Sequence, residues 1–177
     1  FYQVLKLVSP SEVEQILSCM QRREAYETGP DSVDHMPTYE FSPMRQGRWE
    51  DLEMQGILED IIASRILPYV RERYGCPSCT VSDILCRRYV PGERRTHAVH
   101  FDSHAFVTAV LGLSEVEDYQ GGFYMQPGPH ALSRVFPRIA PGDLLLHSFD
   151  LMHGVHVFKG VRYSLIFWFK DCQKSVA

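Results

Sequence analysis

His100-Phe101-Asp102 runs almost directly into the apolar segment Ala105-Phe106-Val107-Thr108-Ala109-Val110-Leu111-Gly112-Leu113. That segment carries no charge and is rich in β-formers, so residues 105–113 read as a buried strand. Upstream, residues 81–90 read as a strand, Pro91-Gly92 as its turn, and 94–100 as the extended piece that delivers His100 to Asp102. Side chains alternate along extended chain, which puts His100 and Asp102 on one side. Downstream comes an acidic turn at 115–120, then Gly121-Gly122 opening a strand at 123–126. A loop with a short strand covers 127–138, and Pro141-Gly142-Asp143 turns the chain into a strand at 144–149. A connection then carries His153, and residues 155–158 and 162–169, joined at Lys159-Gly160, read as a closing hairpin.

The front of the chain has a different pattern. Residues 2–8 read as a short strand. Ser9-Pro10-Ser11-Glu12 is a helix start, with Ser as N-cap, Pro at the first helical position and Glu at the third. Val13, Ile16, Leu17 and Met20 then share one face, and the helix should end between 23 and 26. Residues 29–47 read as a long loop with an extended piece at 38–41, from which His35, Tyr39 and Arg45 could reach a substrate. Residues 49–74 carry the longest helical pattern, broken or kinked at Pro68 and closed by Gly75. Helices followed by about eight short strands predict a mostly β chain with a helical cover (α+β), a double-sheet jelly roll. The expected organisation is one domain over 1–177, with the N-terminal strand and helices in 1–75 and the jelly-roll core in 80–171.

A formal charge of −4 argues against a general nucleic-acid binder. No apolar run reaches membrane-spanning length. Phe1 reads as a trimmed start from which a targeting signal could be missing, and a soluble, intracellular protein is the expectation. Five cysteines at irregular spacing do not form a disulfide framework. Cys76-Pro77-Ser78-Cys79 could be half a zinc site or a redox pair, but no second C-x-x-C completes a zinc site, and a loop that carries two thiols is the plainer reading.

His153 follows Asp102 by about fifty residues, and Arg162 stands nine residues beyond it. Two imidazoles and one carboxylate on one face of Fe(II) leave positions free for oxygen chemistry. On the last strand Arg162, Ser164, Ile166 and Trp168 share one face, opposite Tyr163, Leu165, Phe167 and Phe169. An arginine among so many apolar residues needs an anionic partner. A bound carboxylate fits its guanidinium, with Ser164 able to add a hydrogen bond, and a structural salt bridge is the alternative. His97, His104, His147 and His156 compete as ligands, but each reads more simply as a surface or hydrogen-bonded histidine. Phe106, Val107, Leu146, Ile166 and Trp168 are the expected apolar walls.

With these residues in hand, the chain resembles the 2-oxoglutarate- and Fe(II)-dependent dioxygenases, in particular their prolyl 4-hydroxylase-like branch. The resemblance covers most of the chain and is strongest over 84–171. It is carried by Arg88-Tyr89-Val90-Pro91-Gly92 ahead of His100-Phe101-Asp102, by Gly121-Gly122, and by Pro141-Gly142-Asp143-Leu144-Leu145-Leu146. His153-Gly154-Val155 and Gly160-Val161-Arg162-Tyr163 complete it. It implies a double-stranded β-helix (jelly-roll, cupin-like) core packed by N-terminal helices, with iron on His100, Asp102 and His153. It also implies that Arg162 takes the distal carboxylate of 2-oxoglutarate. Tyr89 matches a tyrosine that lines the co-substrate pocket, and Ser164 matches an Arg-x-Ser pattern. Two positions depart from the family: Val157 stands where proline is usual, and Leu111 where some relatives place a tyrosine that contacts 2-oxoglutarate.

The implied reaction hydroxylates a C–H bond, consumes O2 and 2-oxoglutarate, and releases succinate and CO2, with ascorbate as a candidate reductant. A prolyl residue in a peptide or protein is the first substrate expected. A free amino acid or other small molecule is the alternative, as is a non-catalytic jelly-roll binding module. Arg87, Arg88, Arg94 and Arg95 bracket the turn before the site and could favour an acidic partner, although a solvated basic loop is simpler. A nucleic-acid demethylase of the same superfamily carries a second arginine where this chain has Trp168, so no nucleic acid is expected. A hydrolase using Asp102, Ser103 and His104 lacks a nucleophile-elbow motif.

Overall fold

The computed structural model describes residues 1–23 and 26–172. In chain order the elements are β1 (Tyr2–Val4), α1 (Pro10–Arg22), β2 (Glu40–Arg45), β3 (Arg48–Trp49), α2 (Leu52–Ile61), a π turn (Ile62–Ile66) and α3 (Leu67–Tyr74). There follow β4 (Cys79–Tyr89), β5 (Thr96–His100), β6 (Val107–Gly112), β7 (Tyr119–Met125), a 3-10 turn (Ala131–Ser133), β8 (Leu144–Ser148), β9 (His153–Gly160) and β10 (Arg162–Asp171). The strands form a seven-stranded sheet, β1-β8-β6-β10-β4-β2-β3, and a three-stranded sheet, β5-β9-β7. Every pairing is antiparallel. The smaller sheet gains a fourth, vestigial strand in the single bridge between Met125 and Val135. This is the double-stranded β-helix that the sequence predicts.

The helices form where the local chemistry demands. Ser9 caps α1 in a full capping box: its side chain accepts from the Glu12 N–H, and Glu12 accepts from the Ser9 N–H at 2.8 Å. Such a cap contributes about 1 kcal/mol. Part of the expected helix end at 23–26 lies outside the described residues, and α1 itself stops at Arg22. Pro68 has no N–H to give to Ser64, and its ring would strike that carbonyl in α-geometry. The chain therefore widens into the π turn just before it, where the Leu67 N–H donates to Ile62 O. The buried row of Ile61, Ile62, Ile66 and Val70 continues through the turn. Gly75, at φ 58°, closes α3.

These helices cover the outer face of the large sheet. Ile84, Cys86, Ala109, Leu111, Leu165, Phe167 and Phe169 face them in one core. The next residue along each strand faces inward, where Val110, Leu145, Phe123 and Met125 pack together between the sheets. A sheet covered on both faces is buried on both, which accounts for the unbroken buried runs of β6 and of Leu144 to His147 in β8. Phe167→Ala would cost about 3–5 kcal/mol in this packing.

Several local expectations need correction. The first strand stops at Val4 because the chain turns at Lys6 (φ 53°), whose N–H donates to the Asp143 carboxylate. Gly121 and Gly122 lie within β7 rather than before it. His153 is the first residue of β9, not part of the connection. The closing hairpin does not form: β9 pairs with β5 and β7, whereas β10 pairs with β4 and β6. The chain changes sheet at Gly160, where φ is 85° and any Cβ would lie 1.8 Å from Asp118 O. Cys76 and Cys79 are joined as a disulfide at the α3–β4 junction. Among the described residues, no helix is long and apolar enough to cross a membrane.

Candidate metal centre

His100 ends β5 and His153 begins β9, and the two are direct cross-strand partners. Asp102 lies just past the end of β5, at the start of a turn in which the Ala105 N–H donates to its carbonyl. The three side chains can each offer one donor atom, all within 4.8 Å of one another. His100 Nε2 is 3.3 Å from Asp102 Oδ1, and His153 Nε2 is 3.6 Å from Oδ2.

The backbone fixes the tautomer of both imidazoles. His100 Nδ1 lies 2.7 Å from Ala98 O, and His153 Nδ1 lies 2.9 Å from Leu151 O. A carbonyl only accepts, so each Nδ1 must carry the hydrogen, which leaves each Nε2 as a lone pair facing Asp102. Burial pushes the His153 imidazole down to about 3, so it stays neutral at pH 7. Burial alone would raise the Asp102 carboxyl, but the hydrogen bonding around it, the Thr108 hydroxyl included, outweighs burial and holds it well below the usual carboxylate range. Oδ2 accepts from Thr108 Oγ1 at 2.7 Å and from Trp168 Nε1 at 3.1 Å. Two nitrogens and one oriented carboxylate oxygen are a donor set that fits Fe(II).

A third imidazole repeats this arrangement. His147 is wholly buried, its Nδ1 lies 3.0 Å from Ser148 O, and its Nε2 is 4.0 Å from Asp102 Oδ2. That Nε2 has no hydrogen-bond partner among the described residues. Burial lowers the pKa of His147 too. An orphaned buried nitrogen beside the triad is what a polar or metallic occupant would satisfy.

The triad opens into a cavity of about 680 Å³ that extends to Tyr89, Arg162 and Ser164. Arg162 is buried, and its Nη1 donates to Ser164 Oγ at 3.1 Å, so the serine keeps its own hydrogen to give. The rings of Tyr89 and Tyr119 flank the guanidinium at 5.9 and 6.0 Å. No carboxylate of the described residues is at ion-pair distance from Arg162, so the structural salt bridge considered for it is not there. Gly122, at φ 108°, makes room: a Cβ there would lie 2.8 Å from the Tyr119 ring and 3.5 Å from Arg162 Nε.

Other expected residues are placed differently. Of His35, Tyr39 and Arg45, only Arg45 lines this cavity, and it is tied to Glu27 and Glu50. Ile166 and Trp168 are cavity walls, but Val107 and Leu146 face the helices, one residue out of phase, and Phe106, ahead of β6, packs at the edge of that same core; Leu85, Val110 and Phe123 take their place. Leu111 also faces the helices, so the residue at the cavity wall in that strand is Val110. The four arginines near the turn are occupied within the chain. Arg87 binds Asp31 and Glu40, Arg88 binds Glu93, Arg94 binds Asp34, and Arg95 donates to Gly160 O. These bonds strap the 30–34 loop across the cavity, where Asp31 also faces His97 at 3.4 Å. His104 stands at the rim with its ring 5.0 Å from that of Trp168, and His156 packs on Phe158.

No family model matches the sequence, and no curated protein sequence matches it. Solved structures match it by fold. An oxidoreductase of the 2OG-Fe(II) oxygenase family from Burkholderia pseudomallei superposes with a TM-score of 0.73 at 18% identity, over 93% of this chain and 81% of its own. The epimerase SnoN, solved with Fe3+, alpha ketoglutarate and nogalamycin RO, gives 0.73 at 15% identity, over 96% and 78%. A prolyl hydroxylase from Trichoplax adhaerens, solved with a hypoxia inducible factor peptide fragment, gives 0.71 at 16% identity, over 97% and 84%. At these identities the likeness is one of fold.

Proposed function

We propose that this chain is a 2-oxoglutarate- and Fe(II)-dependent oxygenase that hydroxylates a C–H bond. One observation carries the reading: a buried arginine without a carboxylate shares a cavity with a His-Asp-His group. An iron site explains the triad, and a dicarboxylate co-substrate explains Arg162; either alone leaves the other without a purpose. The fold shared with solved 2OG-Fe(II) oxygenases supports it.

In this reading His100, Asp102 and His153 hold Fe(II). Arg162, with Ser164 and Tyr89 beside it, takes the distal carboxylate of 2-oxoglutarate. When bound, iron and 2-oxoglutarate with O2 supply the oxidant that replaces C–H by C–OH, with release of succinate and CO2. The chain contributes position and dryness. The two backbone carbonyls fix the imidazole tautomers, while Thr108 and Trp168 fix the carboxylate. Leu85, Val110, Phe123 and Ile166 keep water from the inner cavity. The described residues are read as one domain, because the helices cover the sheet that carries Arg162.

A prolyl residue in a peptide is the first substrate to test, a choice supported by the prolyl hydroxylases that share the fold. The small-molecule neighbour SnoN makes a non-peptide substrate the second reading. Mixing anaerobic protein with Fe(II) and 2-oxoglutarate should give the weak visible charge-transfer band of a chelated keto acid. No band, or a band that persists in both His153→Ala and Arg162→Ala, would refute the assignment. Succinate release over prolyl peptides and small molecules then separates the two substrate readings.

A further inference from the structure

The outer end of the cavity has its own chemistry. Asp83 of β4 and Trp168 of β10 are cross-strand partners, and both line the cavity. Such partners stand about 5 Å apart at Cβ. Asp83 Oδ1 accepts the Gln46 N–H at 2.9 Å. Among the described residues, no cationic side chain is at ion-pair distance from that carboxylate. Trp168 turns its N–H toward Asp102 and meets the His104 ring edge-on, and no arginine or lysine of the described residues lies over its face.

The surrounding charges point the same way. Arg87 is shared by Asp31 and Glu40, and Arg45 by Glu27 and Glu50. Both guanidiniums are outnumbered by the carboxylates that hold them. The arginines that looked able to attract an acidic partner are therefore consumed, and Asp83 adds surplus negative charge. A carboxylate beside an indole, in a negative wall, suits an organic cation.

We propose that this outer cavity is a subsite for a guanidinium or ammonium group carried by the substrate. Asp83 is its counter-charge and Trp168 its flat wall. The assignment rests on the oxygenase reading above and specifies a substrate class for it: one with a basic group near the carbon to be oxidised.

Butylguanidinium and its neutral isostere butylurea provide the test. The chain has two tryptophans, so Trp49→Phe leaves the fluorescence of Trp168 as the reporter. The protein, loaded with Zn(II) and 2-oxoglutarate, is titrated with each compound. Saturation-transfer NMR on the unsubstituted protein repeats the comparison should Trp49→Phe not fold. Butylguanidinium is expected to bind roughly tenfold more tightly than butylurea. Asp83→Asn should bring the ratio close to one, because its amide oxygen can still accept the Gln46 N–H but carries no charge. Equal binding, no binding of either compound, or a preference unchanged in Asp83→Asn overturns the subsite. Calorimetry of 2-oxoglutarate on the Zn(II) protein is read separately. If the keto acid fails to bind, the oxygenase reading falls; if it binds and the cation preference is absent, only the subsite does.

Discussion

The indole N–H of Trp168 donates to Asp102 Oδ2 across 3.1 Å, and the Thr108 hydroxyl donates to the same oxygen at 2.7 Å. The other oxygen, Oδ1, is left facing His100 Nε2. Donors behind a ligand orient it, and their loss typically costs about 10–100-fold in metal affinity. Trp168→Phe keeps a ring and removes the donor. Its Fe(II) affinity, measured by chelator competition, should fall about tenfold. An affinity equal to that of the unsubstituted protein would mean that the bond does not orient the carboxylate.

Arg162→Met fills similar space without charge, so the fold should survive. The half-saturating concentration of 2-oxoglutarate should rise by about 100-fold, the loss of a charge-assisted bidentate contact. Fe(II) affinity in the absence of 2-oxoglutarate should not change. A parallel loss of both would place Arg162 in support of the triad rather than on the co-substrate.

His147→Phe tests the orphaned nitrogen. A buried polar atom without a partner costs about 1–3 kcal/mol. The metal-free variant should therefore melt no lower than the unsubstituted protein, while the rise in melting temperature on adding Fe(II) should be smaller. A metal-free variant that melts several degrees lower would show that His147 is structural.

Glu12 links α1 to the π turn through Arg65 at 2.5 Å. The Arg65 hydrogen bond, helped by Ser9 and opposed by burial, holds the Glu12 carboxyl at about 2 instead of 4.5. A depressed carboxyl pKa stabilises the fold above the unfolded value, and this contribution is lost as pH falls from about 4.5 toward 2. Glu12→Gln should melt lower than the unsubstituted protein at pH 7, and the gap should close across that acid window. A gap that does not depend on pH would mean that packing, not ionisation, sets it.

Local periodicity made the main site legible. His100, Asp102, His153 and the Arg162–Ser164 face could be read because each depends on spacing within one strand or on a short motif. What could not be read depends on register between distant strands. Trp168 meets Asp102 across 66 residues of sequence, and Arg87 meets Asp31 across 56. No spacing rule announces such pairs. The same limit explains Val107 and Leu146, expected as cavity walls but one residue out of phase. It also explains the missed change of sheet at Gly160, where an apolar strand, a Lys-Gly turn and another apolar strand look like a hairpin whichever sheet the second strand joins.

Asp102 also has a mechanical consequence. His100 and His153 sit at the ends of two strands of the small sheet, while Thr108 and Trp168 belong to the large one. An ion bound among them would rivet the two layers at the open end of the sandwich. Filling the site should then slow the separation of the layers, and amide exchange in β5 and β9 should report it even though neither strand gains a hydrogen bond.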